Sequence, residues 1–334
     1  MVGRFGWGVS SDRGRFGIVG DAVSGWADGG RGRAATRVIS IKSVIKSKSA
    51  SVQTLYIDHS IVTHEASWED LRRAIERGKV RLALSVSNLV EIGCATDEAQ
   101  RERRLTFLID DLLPVWVIER RAIQRQEVER FLWQHQFGVA PRELIAITSS
   151  LSVVDSFFAG VQTRIGLTAR QFIRETDFAS LHPLKRLSPD ALRTFQSADR
   201  RTLKCKEKEI FNAWIGPSIP NRGPDGRALT TPEKAKLLAF RWQRKRQFFV
   251  ECRCLAVEDA LTTARTGNAM RQPTESDGPD LQHAAVALAY CDIFYSRDGY
   301  QTQCAVAARK VLESIGLGAV CSTPAELADA IAAL

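Results

Sequence analysis

The chain has 334 residues, with 44% hydrophobic and 25% charged residues and a net charge of +9. That balance excludes global disorder and leaves room for one to three domains. No stretch is apolar for the length a bilayer requires, so no membrane partner is expected. Arg4, Arg13 and Arg15 leave no apolar core for a secretory leader, which makes the cytoplasm the expected compartment.

Charge is unevenly divided. Residues 1–50 carry +6, 51–123 carry −2, 124–275 carry +9 and 276–334 carry −4. A basic surface beside a carboxylate-rich one suits a polyanion handled at a metal-loaded acidic site. The cysteines at 94, 205, 252, 254, 291, 304 and 321 include no C-x-x-C pair. They suggest neither a disulfide framework nor, with dispersed histidines, a zinc site.

Residues 1–50 are rich in Gly, Arg and Ser and read as a disordered basic arm. Order begins at Thr54–Ile57, a short buried-strand pattern. Ser67 and Asp70 then form a capping signature ahead of a helix bearing Trp68, Leu71 and Ile75 on one face. Val80–Val86 reads as a second strand, and Ser87 as the cap of a short helix reaching Cys94. Another helix is predicted from Asp97 to about Leu113, where Pro114 stops it. Val115–Ile118 is a third strand.

From Arg120 to about Gly267 the periodicity is helical, interrupted by turn clusters such as Pro217–Gly226. After a loop, an Ala-rich helix at Leu281–Tyr290 leads into a strand at Ile293–Ser296. A helix at Gln301–Ile315, a strand at Ala319–Cys321 and a last helix opened by Pro324 complete the pattern. Strands alternating with helices predict an α/β fold with a parallel sheet. The expected division is an arm (1–50), two core pieces (51–123 and 276–334) and an inserted helical subdomain (124–275).

Four acids sit where chemistry is expected. Asp58 directly follows the first strand, and Asp298 stands two residues after the fourth. Glu91 lies in the helix after the second strand, and Asp280 opens the helix that leads into the fourth. In an open parallel sheet, ligands bind at the carboxyl ends of the strands, so one edge can gather all four. Clustered carboxylates repel one another unless a divalent cation neutralises them, and Mg²⁺ or Mn²⁺ prefers such hard oxygen ligands. Each acid also has a structural explanation. Asp58 can cap a helix, Asp280 can face a helix dipole, Glu91 can be a solvated helix residue, and Asp298 with Gly299 can form a turn.

The segments Leu55-Tyr56-Ile57-Asp58-His59-Ser60, Ser87-Asn88-Leu89-Val90-Glu91, Asp280-Leu281-Gln282-His283-Ala284-Ala285 and Asp292-Ile293-Phe294-Tyr295-Ser296-Arg297-Asp298 carry these acids in order. They resemble the four acidic motifs of PIN-domain nucleases. The resemblance covers residues 54–120 and 277–334 and implies an α/β/α sandwich with a central parallel sheet. It also implies a Mg²⁺ or Mn²⁺ centre and endonucleolytic cleavage of RNA. It implies metal-binding and catalytic roles for Asp58, Glu91, Asp280 and Asp298, with Ser60 and Ser296 as supporting hydroxyls. Many bacterial PIN proteins are toxins of toxin–antitoxin pairs, so an antitoxin is the protein partner this likeness implies. Two departures stand out: His59 in place of the usual Thr, and an insertion of about 150 residues.

Asn88 shares a helix face with Glu91 and is expected to orient its carboxylate. His283, three residues after Asp280, reads as a packing or hydrogen-bonding residue, and Asp292 as a turn former; Asp277 is a substitute for Asp280. In the helical block, Arg241, Arg244 and Lys245 can line one helical face and contact phosphates, although such a run is more often a solvated face. The alternative function is a catalytically silent PIN-like module that binds nucleic acid or protein. A third is a metal-dependent phosphoesterase acting on DNA.

Overall fold

The computed structural model describes residues 53–77, 80–95, 97–149, 151, 168–176, 207–266 and 277–334. The basic arm expected at 1–50 lies outside the described residues.

Six strands form one mixed, mostly parallel sheet in the order β4-β3-β2-β1-β5-β6. They are β1 (Gln53–Ile57), β2 (Val80–Ser85), β3 (Val115–Val117), β4 (Ile147–Thr148), β5 (Ile293–Tyr295) and β6 (Ala319–Cys321). All neighbours pair in parallel except β3 and β4. Leu55, Ile57, Leu82, Leu84, Ile293 and Phe294 are fully buried, as expected of central parallel strands covered on both faces.

The chain winds outward from β1 in two directions. It first runs through α1 (His59–Val62) and α2 (Trp68–Arg77) to β2, then through α3 (Val86–Gly93) and α4 (Glu98–Leu105) to β3. The later run goes from β5 through α12 (Gly299–Val311) to β6 on the other side. Right-handed crossovers in opposite directions put their helices on opposite faces of the sheet. Between β1 and β5 the winding reverses. That is a topological switch point, where the carboxyl ends of the strands leave a crevice.

The connection from β3 to β5 contains α5 (Arg120–His135), β4, α6 (Ala169–Glu175), α7 (Glu207–Ile215), α8 (Thr231–Gln243), α9 (Lys245–Glu251), α10 (Arg253–Thr266) and α11 (Asp277–Tyr290). Continuous helical periodicity after Arg120 is thus corrected by an antiparallel edge strand. Gly138 and Pro141 end the helical stretch, and β4 is too short to declare itself by alternation. α5 and α10 each contribute to two buried clusters among the described residues. Ala122, Ile123, Val257 and Leu261 join the sheet core, while Val128, Phe131 and Leu255 join a second core with Phe211 and Phe248. The helical block therefore shares its packing with the sheet.

Small residues allow close approach where the layers meet. Ala284, Ala285, Ala287 and Ala289 of α11 are buried. A Cβ at Gly318, just before β6, would stand 2.3 Å from the Cys291 carbonyl oxygen, so this crossing admits only glycine. Asp292 anchors the start of β5: its Oδ2 accepts from the N–H (2.8 Å) and hydroxyl (3.0 Å) of Thr54. A last helix, α13 (Pro324–Ala332), is capped by Thr323 and packs against α2.

Candidate functional site

Asp58 is the pivot of the switch point. Its N–H donates to the Tyr295 carbonyl at 3.0 Å, extending the β1–β5 ladder one residue past the strand. Its extended backbone (φ −82°, ψ 164°) makes it the cap of α1. Only 4% of the residue is exposed. Carboxylate Oδ2 accepts from the Ser60 N–H at 3.2 Å and meets Ser296 Oγ at 3.0 Å.

Ser296, the residue after β5, continues the network. Its hydroxyl lies 2.9 Å from Gln301 Oε1, so one proton is shared between Asp58 and Gln301. The Asp298 N–H donates to the same Oγ at 3.1 Å. Asp298 Oδ1 in turn accepts from the Gln301 N–H at 2.7 Å, capping α12. Gln301 Nε2 donates to the carbonyl of Asp280 at 2.9 Å, tying α11 to the strand ends. Ser60 Oγ accepts from the Arg297 N–H at 2.8 Å and lies 3.4 Å from Ser296 Oγ. The two short hydroxyl residues thus brace the chain ends on either side of Asp58.

Glu91 approaches from α3 and stands between two imidazoles. His59 Nδ1 is 3.0 Å from Glu91 Oε2, and His283 Nε2 is 3.7 Å from Oε1. Neither contact has hydrogen-bond alignment: His59 Nδ1, Glu91 Oε2 and His283 Nε2 are all buried and lack an aligned partner. Burial works to lower the His59 pKa, but the Glu91 and Asp58 carboxylates outweigh it and hold the imidazole above its ordinary value. His283 Nδ1 is 2.7 Å from the Tyr56 hydroxyl, which lies 2.8 Å from Ser85 Oγ.

Asn88 differs from expectation. Its Oδ1 accepts from Ser85 N–H at 2.8 Å and Ser85 Oγ at 3.0 Å, and its Nδ2 donates to the Ile57 carbonyl at 3.1 Å. The amide is committed to β1 and to the first turn of α3, so it fixes the helix that carries Glu91 rather than the carboxylate. The cap of α3 is accordingly Ser85, not Ser87.

The basic run is the clearest correction. α8 ends at Gln243 and α9 begins at Lys245, so Arg241, Arg244 and Lys245 share no helical face. Arg241 is fully buried, its guanidinium 5.1 Å from the Phe211 ring centre and 5.3 Å from that of Phe248. None of its nitrogens has a hydrogen-bond partner, and burial pushes its pKa down to about 9. It is closed to phosphate. Arg244 is exposed and lies over Phe240, while Lys245 is half-buried beside Trp242.

Hard oxygen donors at Asp58, Glu91, Asp280 and Asp298 are the kind Mg²⁺ or Mn²⁺ prefers, and Glu91 Oε2 is a buried atom that such an ion would satisfy. Asp298, however, is turned to its helix cap and Glu91 to His59. Among the described residues, no three His, Cys, Asp or Glu side chains form a group able to hold a metal ion as they stand. The residue types fit the ion; the side chains do not preform a cage.

His59, Tyr56, Ser85 and Gln301 were not singled out from sequence as site residues. Gln301 had a signal, since an acid followed three residues later by Gln is a capping pattern. His59 had none, because its partner lies on another element.

No protein-family model, curated protein or solved structure matches the chain. Among the described residues, no helix is long and apolar enough to cross a membrane.

Proposed function

We propose that this chain is a metal-dependent endoribonuclease of PIN type, with a PIN-like α/β/α core and its site at the switch point. One observation carries the reading. Asp58 and Asp298 leave adjacent parallel strands at the reversal of winding, and Ser296 and Gln301 tie them to each other and to the main-chain carbonyl of Asp280. Asp58, Glu91, Asp280 and Asp298 would hold Mg²⁺ or Mn²⁺, which when bound supplies an activated water and charge neutralisation at the scissile phosphate. The chain's own part is positional. Ser60 and Ser296 orient Asp58 through Oδ2, and Gln301 fixes the spacing between α11 and α12. RNA as substrate places the work in the cytoplasm, and the toxin–antitoxin context adds an antitoxin as protein partner.

The His59–Glu91 contact favours a second reading, a silent module that binds nucleic acid without cutting, because Glu91 Oε2 already has a side-chain neighbour at 3.0 Å without a metal. Incubating the full chain with labelled single-stranded RNA and DNA in Mg²⁺, Mn²⁺ or EDTA separates the two. The nuclease reading predicts RNA cleavage that EDTA abolishes. Binding without cleavage in all three conditions supports the module, and cleavage of DNA alone moves the substrate class.

A further inference from the structure

Arg297 stands between Ser296 and Asp298, in the middle of the acidic site, yet it pairs with no acid among the described residues. Its N–H is held by Ser60 Oγ at 2.8 Å, which fixes the backbone beside Asp58. Its side chain is exposed and turns toward the α1–α2 connection. There NH1 lies 2.7 and 2.9 Å from the two ring nitrogens of His64 and 3.1 Å from Ser67 Oγ. His64 is itself braced by Ser67, with Nδ1 2.8 Å from its hydroxyl. Two acids of this connection are engaged elsewhere, Glu65 with Arg103 and Glu69 with Arg73.

Arg297 precedes Asp298 in the chain, but its side chain is set against His64 and Ser67 and not against an acid. NH1 of this guanidinium lies against the His64 ring and within hydrogen-bond distance of Ser67 Oγ. The side chain is exposed, which leaves the rest of the planar donor fork open to an anion. A fork already fixed at one end loses less rotamer freedom on binding, and its geometry matches two phosphate oxygens. A polyanion entering an acidic crevice also needs a local positive charge to offset repulsion.

We infer that Arg297 is a substrate-binding residue that receives a backbone phosphate of the nucleic acid beside Asp58 and Asp298, with its NH1 placed by Ser67 against the His64 ring. This rests on the nuclease reading of the same site.

The test is fluorescence anisotropy with labelled single-stranded RNA in EDTA, using the full chain and titrating salt. Arg297→Gln should bind roughly tenfold more weakly. The slope of log affinity against log salt should become shallower by about 0.7, the loss of one phosphate contact on a single strand. Arg297→Lys keeps the charge, so it should restore the slope while regaining only part of the affinity. Unchanged affinity and slope in Arg297→Gln, with tight binding by the wild type, overturn the inference and leave the nuclease reading standing. Absence of RNA binding by the wild type overturns the inference, while the nuclease reading stands or falls on cleavage in Mg²⁺ or Mn²⁺. Should Arg297→Gln fail to fold, as read by its melting curve, wild-type affinity in Arg297→Lys would overturn the proposed fork.

Discussion

Asp58 and Glu127 are both buried carboxylates, and their surroundings teach different things. Glu127 of α5 is 2% exposed and closed in by donors: the Tyr290 hydroxyl, the Cys254 N–H at 2.7 Å and the Leu255 N–H at 3.4 Å. Those partners come from α10 and from the end of α11, so Glu127 staples three helices together. Asp58 has two donors, both on one oxygen, and sits where the winding of the sheet reverses. Burial alone marks neither as functional. What distinguishes Asp58 is its position at the strand ends, where the winding of the sheet reverses.

The largest expected effect lies on the Asp58 side. Asp58→Asn or Asp298→Asn keeps size but removes a charged ligand, and should lower metal-dependent RNA cleavage by on the order of 10²–10³-fold. Far-UV circular dichroism should remain unchanged. Cleavage at the wild-type rate by both variants would make these acids structural caps like many others.

Glu127 sharpens the contrast through pH. Burial raises its pKa from 4.5 to about 7, despite the hydrogen bonds that oppose the shift. An acid whose folded value is raised favours the fold while protonated. Its contribution is full below pH 4.5 and is lost as pH rises through about 7. Glu127→Gln should therefore gain up to about 3 kcal/mol over wild type above that window and nothing below it. Urea midpoints at about pH 4 and about pH 8 measure this. Parallel pH profiles for the two proteins would show that the staple does not titrate.

Arg241 extends the lesson to cations. A buried guanidinium with no hydrogen-bonded partner retains its desolvation cost, only partly offset by the Phe211 and Phe248 rings. Arg241→Met should raise stability by about 1–3 kcal/mol and leave RNA affinity unchanged. Loss of affinity without loss of stability would return this residue to the binding surface. The smallest effect is expected for Ser296→Ala, which removes the link between Asp58 and Gln301. About 1 kcal/mol of stability and roughly tenfold in cleavage rate should be lost. A variant with wild-type values would mean that the capping bonds position the acids unaided.

What the sequence made legible follows from range. The strand ending at Asp58, the strand Ala319–Cys321 and the Pro324 helix are written in local periodicity and caps. The link of Asp58 and Asp298 through Ser296 follows from their places at the ends of adjacent strands, which could be read from the sequence order. The pairing of Glu91 with His59 could not, because two elements had to be docked before the contact existed. Arg241 was misread for a related reason. A helix break at Arg244 changes which residues share a face, and nothing in the run Arg241–Arg246 announces it. Asn88 was placed on the correct helix face, but its amide found nearer partners in Ser85 and Ile57.

The central claim is that the switch-point carboxylates hold a divalent ion, and Mn²⁺ binding tests it most directly. Electron paramagnetic resonance follows the free Mn²⁺ signal as protein is added. The account predicts that the wild-type chain depletes this signal and that Asp58→Asn does so far less. Equal depletion by both proteins, or none by the wild type, would contradict it.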